Sequence, residues 1–268
     1  MAGISDSGRQ ELAAIIRPGT RLVSVDDVAL ALNIDNVAAT QRLARWTRHR
    51  WLRRVRRGLY IPVPMHVQNP ETWVEDSLVL ADAVWSPCYF TGWTSASHWG
   101  LTDQVFRTTV LRTANRIRQN SKTLLNHDFL VYHTSRATSG PGIARVWRLD
   151  TPLGMADPAL TIAELLDNPG VVGGIRHGSE IVAEYFRRAA SATAVIEHGD
   201  RIGNRALFKR FGYVLESLGV HDRHALAACR ARLSSGFPLL DPSGPPQGER
   251  DRHWGLRVNV SVSPGDAT

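Results

Sequence analysis

The sequence predicts an α+β chain in which a small basic N-terminal module precedes a larger mixed α/β body, and three observations predict it. The first is charge: +6 of the net +7 lies in residues 1–65, and the rest of the chain is nearly neutral. The second is the stretch Gln41–Pro64, where Arg42, Arg45, Arg48, Arg50, Arg53, Arg54, Arg56 and Arg57 fall within sixteen residues. Trp46, Trp51, Leu52, Leu59, Tyr60 and Ile61 are threaded through them, and no acidic residue stands between Asn36 and Pro70. A solvated, disordered basic tail lacks such apolar residues, so this is a folded element with an arginine face, suited to a polyanion. The third is the mixture downstream of runs with helical period and short aromatic, β-branched runs.

In order along the chain, Ser7–Ile16 carries Leu12, Ala13, Ile15 and Ile16 at helical spacing, and Arg17-Pro18-Gly19 ends it. Leu22 and Val23 form a brief strand. Ser24 and Asp27 make a capping box, with Asp26 and Asp27 in the first turn of a helix that buries Val25, Val28, Ala29 and Leu32. Asn33 ends that helix in a left-handed turn. Asp35 caps a second helix reaching about His49, with Val37, Leu43, Ala44, Trp46 and Thr47 inward. Asn36, Ala39, Gln41, Arg42, Arg45 and Arg48 are left for its outer face. Two strands, 51–55 and 59–63, flank a turn at Arg56-Arg57-Gly58, where Gly58 supplies a positive φ. Pro62 and Pro64 mark an edge. Helix, turn, helix and hairpin together describe a winged helix-turn-helix, expected over residues 1–68.

The body is expected over 69–262, with 263–268 a disordered tail. Asn69-Pro70 opens a helix ending near Trp85, so the charge shift and the prolines place the boundary at 66–69. Strands are expected at 89–91, 106–112, 129–133, 143–149 and 254–262. Helices are expected at 94–99, from Asp157-Pro158 to Asn168, and over 179–190, 204–218 and 221–233, with a turn at 170–174.

Several chemistries lack their residues. The lysines, Lys122 and Lys209, have Asn120 and Leu207 two positions before them, so the Glu-x-Lys pair of a restriction-type nuclease is missing. Gly170–Gly174 has no Gly-Lys-Ser/Thr to grip phosphates. Ser95 is in no nucleophile elbow, and the neighbouring His98 reads as a packed or capping residue. His221 and His224 have no further ligand cluster beside them. Glu180 and Glu184 read as a solvated helix face. Cys88 and Cys229, far apart in the chain, read as buried reduced thiols. No cofactor or metal is expected, and no catalysis. No run of about eighteen apolar residues spans a membrane, and the N-terminus lacks a secretory pattern, so a cytoplasmic location is expected.

LARWTRHRWLRRVRRGLYIP resembles the N-terminal winged helix of AbiEi-type antitoxins of type IV toxin–antitoxin systems. Three later stretches resemble that family's body: YFTGWTSASHWGLTDQ, DPALTIAELLDNPGVVGG, and FGYVLESLG with the tail LLDPSGPPQGERDRHWGLRVN. The resemblance spans about 35–259. It implies a non-enzymatic, DNA-binding antitoxin that represses its own operon and counters a nucleotidyltransferase-like toxin, without a stable complex between the two. One departure is Arg50, where such domains carry glycine. A side chain there is less comfortable in a left-handed turn, so a differently shaped helix end is expected.

In a winged helix the second helix enters the major groove of double-stranded DNA. Asn36, Thr40, Gln41, Arg42 and Arg45 are then the base-reading candidates, Asn and Gln suiting adenine and Arg suiting guanine. Arg48, Arg53, Arg54, Arg56 and Arg57 suit phosphates or the adjacent minor groove. One module buries little surface, so two copies on an inverted repeat are expected, as a homodimer or cooperatively. Two other readings use the same residues: a stand-alone transcriptional regulator whose body senses a ligand or partner, and an endonuclease targeted by the winged helix.

Overall fold

The computed structural model describes residues 6–16, 22–64, 67, 75–148, 150–188 and 191–262. The chain is mixed α+β and divides into two compact units, residues 1–84 with 123–127, and residues 85–122 with 128–268. The division falls at Val84/Trp85, later than the charge boundary at 66–69, so nearly all of the helix before Trp85 goes with the first unit. The expected start of that helix at Pro70, with Trp73 and Val74, lies outside the described residues, as do Arg17-Pro18-Gly19 and the tail 263–268.

The first unit holds α1 (Asp6–Ile15), β1 (Val23–Ser24), α2 (Val25–Leu32), α3 (Asn36–Arg48), β2 (Leu52–Arg56), β3 (Leu59–Pro62) and most of α4 (Ser77–Trp85). Local chemistry sets each boundary. Ser24 and Asp27 cap α2 reciprocally, the Asp27 N–H donating to Ser24 Oγ at 3.1 Å and the Ser24 N–H to Asp27 Oδ2 at 2.7 Å. Asn33 stops α2 at φ 50°. Asp35 Oδ1 accepts from the Ala38 N–H at 2.7 Å and starts α3. Asp76 caps α4 at Ser77 by accepting from the Leu78 and Val79 N–H groups. The strands pair antiparallel in the order β1-β3-β2. The β2–β3 register shifts between Arg54 and Arg56, and Gly58 turns the hairpin at φ 76°.

The core under these elements is Ile15, Val23, Val28, Ala39, Leu43, Trp46, Leu52 and Tyr60. It corrects the expected inner stripe of α3. Ala39 is fully buried, whereas Val37 is 69% exposed and Ala44 is exposed. Ala39, Leu43 and Trp46 follow an i, i+4, i+7 spacing, and Val37 and Ala44 are one heptad apart on the opposite side. Ala13 of α1 also faces outward.

The end of α3 is a second correction. Arg50 adopts the left-handed conformation at φ 64° despite its side chain. The Trp51 N–H donates to the Trp46 carbonyl and the Arg50 N–H to the Thr47 carbonyl, both at 3.0 Å, which is a Schellman closure. Trp51, packed against the core and stacked on His49, holds the residue after the turn in place. The glycine shape is therefore kept and its strain is borne by an arginine. Arg50→Gly is expected to stabilise the chain by about 0.5–1 kcal/mol, read as a higher Tm. A lower Tm would mean that the arginine side chain contributes more than the backbone loses.

The second unit is built on a six-stranded sheet in the order β6-β7-β5-β4-β9-β8. Its strands are β4 (Cys88–Phe90), β5 (Thr108–Thr113), β6 (Ser121–Leu124), β7 (His127–His133), β8 (Ile143–Arg148) and β9 (Thr151–Ala156), with residues 123–127 grouping with the first unit. β5 and β7 run parallel, as do β4 and β9, while β4 opposes β5 and β8 opposes β9. Helices α5 (Gly92–His98), α6 (Pro158–Asp167), α7 (Ile175–Arg187), α8 (Ala192–Ile202), α9 (Arg205–Ser217) and α10 (Arg223–Arg230) accompany it, with a 3-10 turn over Pro169–Val172. A hairpin of β10 (Glu249–Asp251) and β11 (Leu256–Val258) replaces the single strand expected at 254–262.

Helix α6 is the centre of this unit, every residue from Ala159 to Leu166 being buried. A helix apolar on all sides must sit inside. Its one carboxylate within that run, Glu164, is fully buried and so requires partners. Tyr89 Oη donates to Glu164 Oε1 at 2.7 Å and the Thr91 hydroxyl donates to Oε2. Arg136 Nη2 donates to Oε1 at 2.6 Å, and Arg112 Nε lies 2.9 Å from it. Two more buried cations, Lys209 and Arg210 of α9, tie down backbone instead. Lys209 Nζ donates to the Gly236 and Gly255 carbonyls, and Arg210 reaches those of Leu166, Asp167, Leu239 and Leu240.

Candidate nucleic-acid interface

All ten expected interface residues lie in the first unit, on α3 and on the β2–β3 hairpin, and both elements are anchored in one core through Ala39, Leu43, Trp46, Leu52 and Tyr60. On α3, Asn36, Thr40, Gln41, Arg45 and Arg48 are exposed. On the hairpin, Arg54, Arg56 and Arg57 are exposed and Arg53 is half-buried. β2 departs from strict alternation, since Leu52 and Val55, three residues apart, are both buried, with Arg53 half-buried and Arg54 exposed between them. The register shift between Arg54 and Arg56 accommodates that spacing and leaves both arginines outward.

The side chains are not equally available. Arg42 forms an ion pair with Glu11 of α1, Nη1 to Oε2 at 3.1 Å, with 39% of its side chain exposed. Its guanidinium is thus held against α1 and not presented with Arg45. Asn36 Nδ2 donates to Asp26 Oδ1 at 3.4 Å, across the turn between α2 and α3. The Thr40 hydroxyl donates to the Asn36 carbonyl, which leaves the oxygen able to accept. Arg54 Nε donates to the Arg56 carbonyl at 3.4 Å, within the hairpin. Among the described residues no carboxylate pairs with Arg45, Arg48, Arg56 or Arg57. Unpaired like charges on one small unit repel one another, and an anionic partner relieves that cost.

Sequence reasoning missed two outward residues of α3. Val37 and Ala44 sit among the polar groups of the exposed face and offer apolar contact of the kind a thymine methyl takes. The available signal was the spacing of Ala39, Leu43 and Trp46, which excludes Val37 from the same stripe. It also missed Glu164, Arg112 and Arg136, although one charge within the otherwise uncharged run Ala159–Leu166 was a signal that could be read.

Elsewhere the other singled-out residues take local roles. Cys88 and Cys229 are buried and form no disulfide with each other, and burial pushes the Cys229 thiol up to about 12. Glu184 pairs with Arg187 and Arg188, and Glu180 with His177. Burial, then the nearby Arg148, pushes the His98 imidazole down. Among the described residues no group of three or more His, Cys, Asp or Glu side chains could hold a metal, and no helix is long and apolar enough to cross a membrane. Neither the family models nor the curated proteins compared with this chain match it.

Proposed function

We propose that the first unit is a winged helix that binds double-stranded DNA, with α3 in the major groove and the β2–β3 hairpin on the adjacent backbone. The observation that carries this reading is the pairing of an exposed polar helix with an exposed arginine hairpin on a common core, with Arg45, Arg48, Arg56 and Arg57 free of carboxylate partners among the described residues. Gln41 and Arg45 then face base edges with Val37 and Ala44 beside them, and Arg48, Arg54, Arg56 and Arg57 face phosphates. Arg42 becomes a positioning residue that fixes α3 to α1 through Glu11.

The finer proposal is an antitoxin and autorepressor of a type IV toxin–antitoxin operon, acting as two copies on an inverted repeat and countering a nucleotidyltransferase-like toxin. What supports it is the ordered set of sequence blocks from the basic module through DPALTIAELLDNPGVVGG to the C-terminal tail. Gel shifts on the duplex upstream of this chain's own reading frame and on a scrambled duplex test the DNA-binding half. Arg45→Ala is expected to lose discrimination, each good bidentate contact being worth about 1–3 kcal/mol, while Arg42→Ala weakens both duplexes alike. Equal loss on both duplexes for Arg45→Ala would remove it from base reading. Growth rescue on co-expression with a neighbouring nucleotidyltransferase-like gene tests the antitoxin half, and no rescue would reduce the reading to a regulator.

A further inference from the structure

The Glu164 cluster of the second unit holds more positive charge than its structural task consumes. Glu164 accepts three hydrogen bonds: Oε1 takes Tyr89 Oη and Arg136 Nη2 and faces Arg112 Nε, and Oε2 takes the Thr91 hydroxyl. Burial, then Glu164, raises the Tyr89 phenol above its ordinary range, so it remains a donor and adds no charge. Two guanidiniums therefore face one carboxylate. Asp167, the next carboxylate felt by Arg112, also acts on Arg210 and accepts from Asn204 Nδ2 at 2.7 Å. The surplus cation is left standing.

The nitrogens that carry the surplus are not engaged. Arg112 is 8% exposed, yet among the described residues no hydrogen bond takes its Nη1 or Nη2, and its guanidinium carbon lies 5.7 Å from the centre of the Tyr132 ring. Among the described residues Arg136 donates through Nη2 and not through Nε or Nη1, and 29% of its side chain is accessible. Among the described residues the buried donor of this pair left without a hydrogen bond is Arg112 Nε, which faces Glu164 Oε1 at 2.9 Å, and such a donor is costly when unmet.

Their place in the sheet is equally specific. The register sets Tyr89 opposite Arg112 and Arg112 beside Tyr132, at the carboxyl ends of the parallel strands β5 and β7. The Thr134 N–H extends that ladder to the Thr113 carbonyl, and Thr134 Oγ1 accepts from the Arg136 N–H at 3.1 Å, so a short turn fixes the start of Arg136. The loop that follows supplies Ser135, Thr138 and Ser139. Ligands of open sheets gather outside the carboxyl ends of parallel strands, and paired guanidinium forks with hydroxyls suit a phosphate group's several oxygens.

We propose that Arg112 and Arg136, braced by Glu164, form a phosphate-binding site in the second unit, distinct from the arginine face of the first and independent of the DNA reading. The phosphate is either the free ion or the monoester of a nucleotide, and two probes separate these sources.

Calorimetric titration tests the site on the full chain carrying Arg54→Ala, Arg56→Ala and Arg57→Ala, which removes three of the hairpin's four arginines. Inorganic phosphate is expected to bind saturably, and adding Arg136→Gln is expected to weaken it by about tenfold or more, the value of one charge-assisted contact. Tighter binding of a nucleoside 5′-monophosphate than of phosphate assigns the site to nucleotides, and equal or weaker binding assigns it to the free ion. Arg136→Lys keeps a charge beside Glu164 and is expected to bind between the two, which preserves the test if the glutamine variant does not fold. No saturable binding of either probe, or undiminished binding in the Arg136 variants, overturns the site.

Discussion

Glu164→Ala is expected to destabilise the chain by about 3–5 kcal/mol, the range seen when one partner of a buried ion pair is removed. The loss has little to do with the volume of the side chain. Glu164 sits in a helix whose neighbours from Ala159 to Leu166 are all buried, with Arg112 behind it at 8% exposure. Without the carboxylate, Arg112 loses its counter-charge, Tyr89 Oη and the Thr91 hydroxyl lose their acceptor, and only the partly exposed Arg136 can turn to water. Glu164→Gln keeps the shape and one acceptor, so a smaller loss is expected. Denaturant melts of both variants check the ranking, and a glutamine variant as unstable as the alanine one would make shape, not charge, the cause.

Raising salt from about 50 to 200 mM is expected to weaken duplex binding by roughly 10³–10⁵-fold if about six to ten phosphates are neutralised. The first unit supplies the cations in the right form. Arg48, Arg54, Arg56 and Arg57 are exposed, and they are carried on elements tied to one core through Leu43, Trp46, Leu52 and Tyr60. Rigid carriage matters, because a charge that follows the backbone at fixed spacing releases counterions without a large ordering cost. Fluorescence anisotropy of a labelled duplex across that salt range checks the slope.

The first unit was largely legible because its signals are local. Ser24 with Asp27, Asn33, Asp35 and Gly58 each act within a few residues and set boundaries that the structure retains. The facing of α3 was less legible, since Val37 and Ala44 fit a loose apolar pattern and only the packing of Ala39 under the sheet excludes them. In the second unit, helix α8 was missed because Thr193, Val195, Ile196 and Gly199 read against a helix. Its Gly199 is there for contact, as a Cβ would stand 2.9 Å from the Phe208 ring. Strand β9 was missed for its Pro152 and Gly154. The register that pairs Phe90 with Met155 leaves Pro152 beyond the short β4, where its missing N–H costs no ladder bond. Glu164 illustrates the general limit: its partners Tyr89, Thr91, Arg112 and Arg136 are distant in sequence, and no local pattern joins them.

The most direct test of the account is the salt dependence of duplex binding for the wild-type chain beside the chain with Arg54→Ala, Arg56→Ala and Arg57→Ala. A steep wild-type slope is predicted, and the triple variant should lose about 0.9 of slope for each phosphate contact removed, with weaker binding at every salt concentration. An unchanged slope in the variant, or a wild-type chain that does not bind duplex at low salt, would contradict the assignment of α3 and its arginine hairpin to DNA.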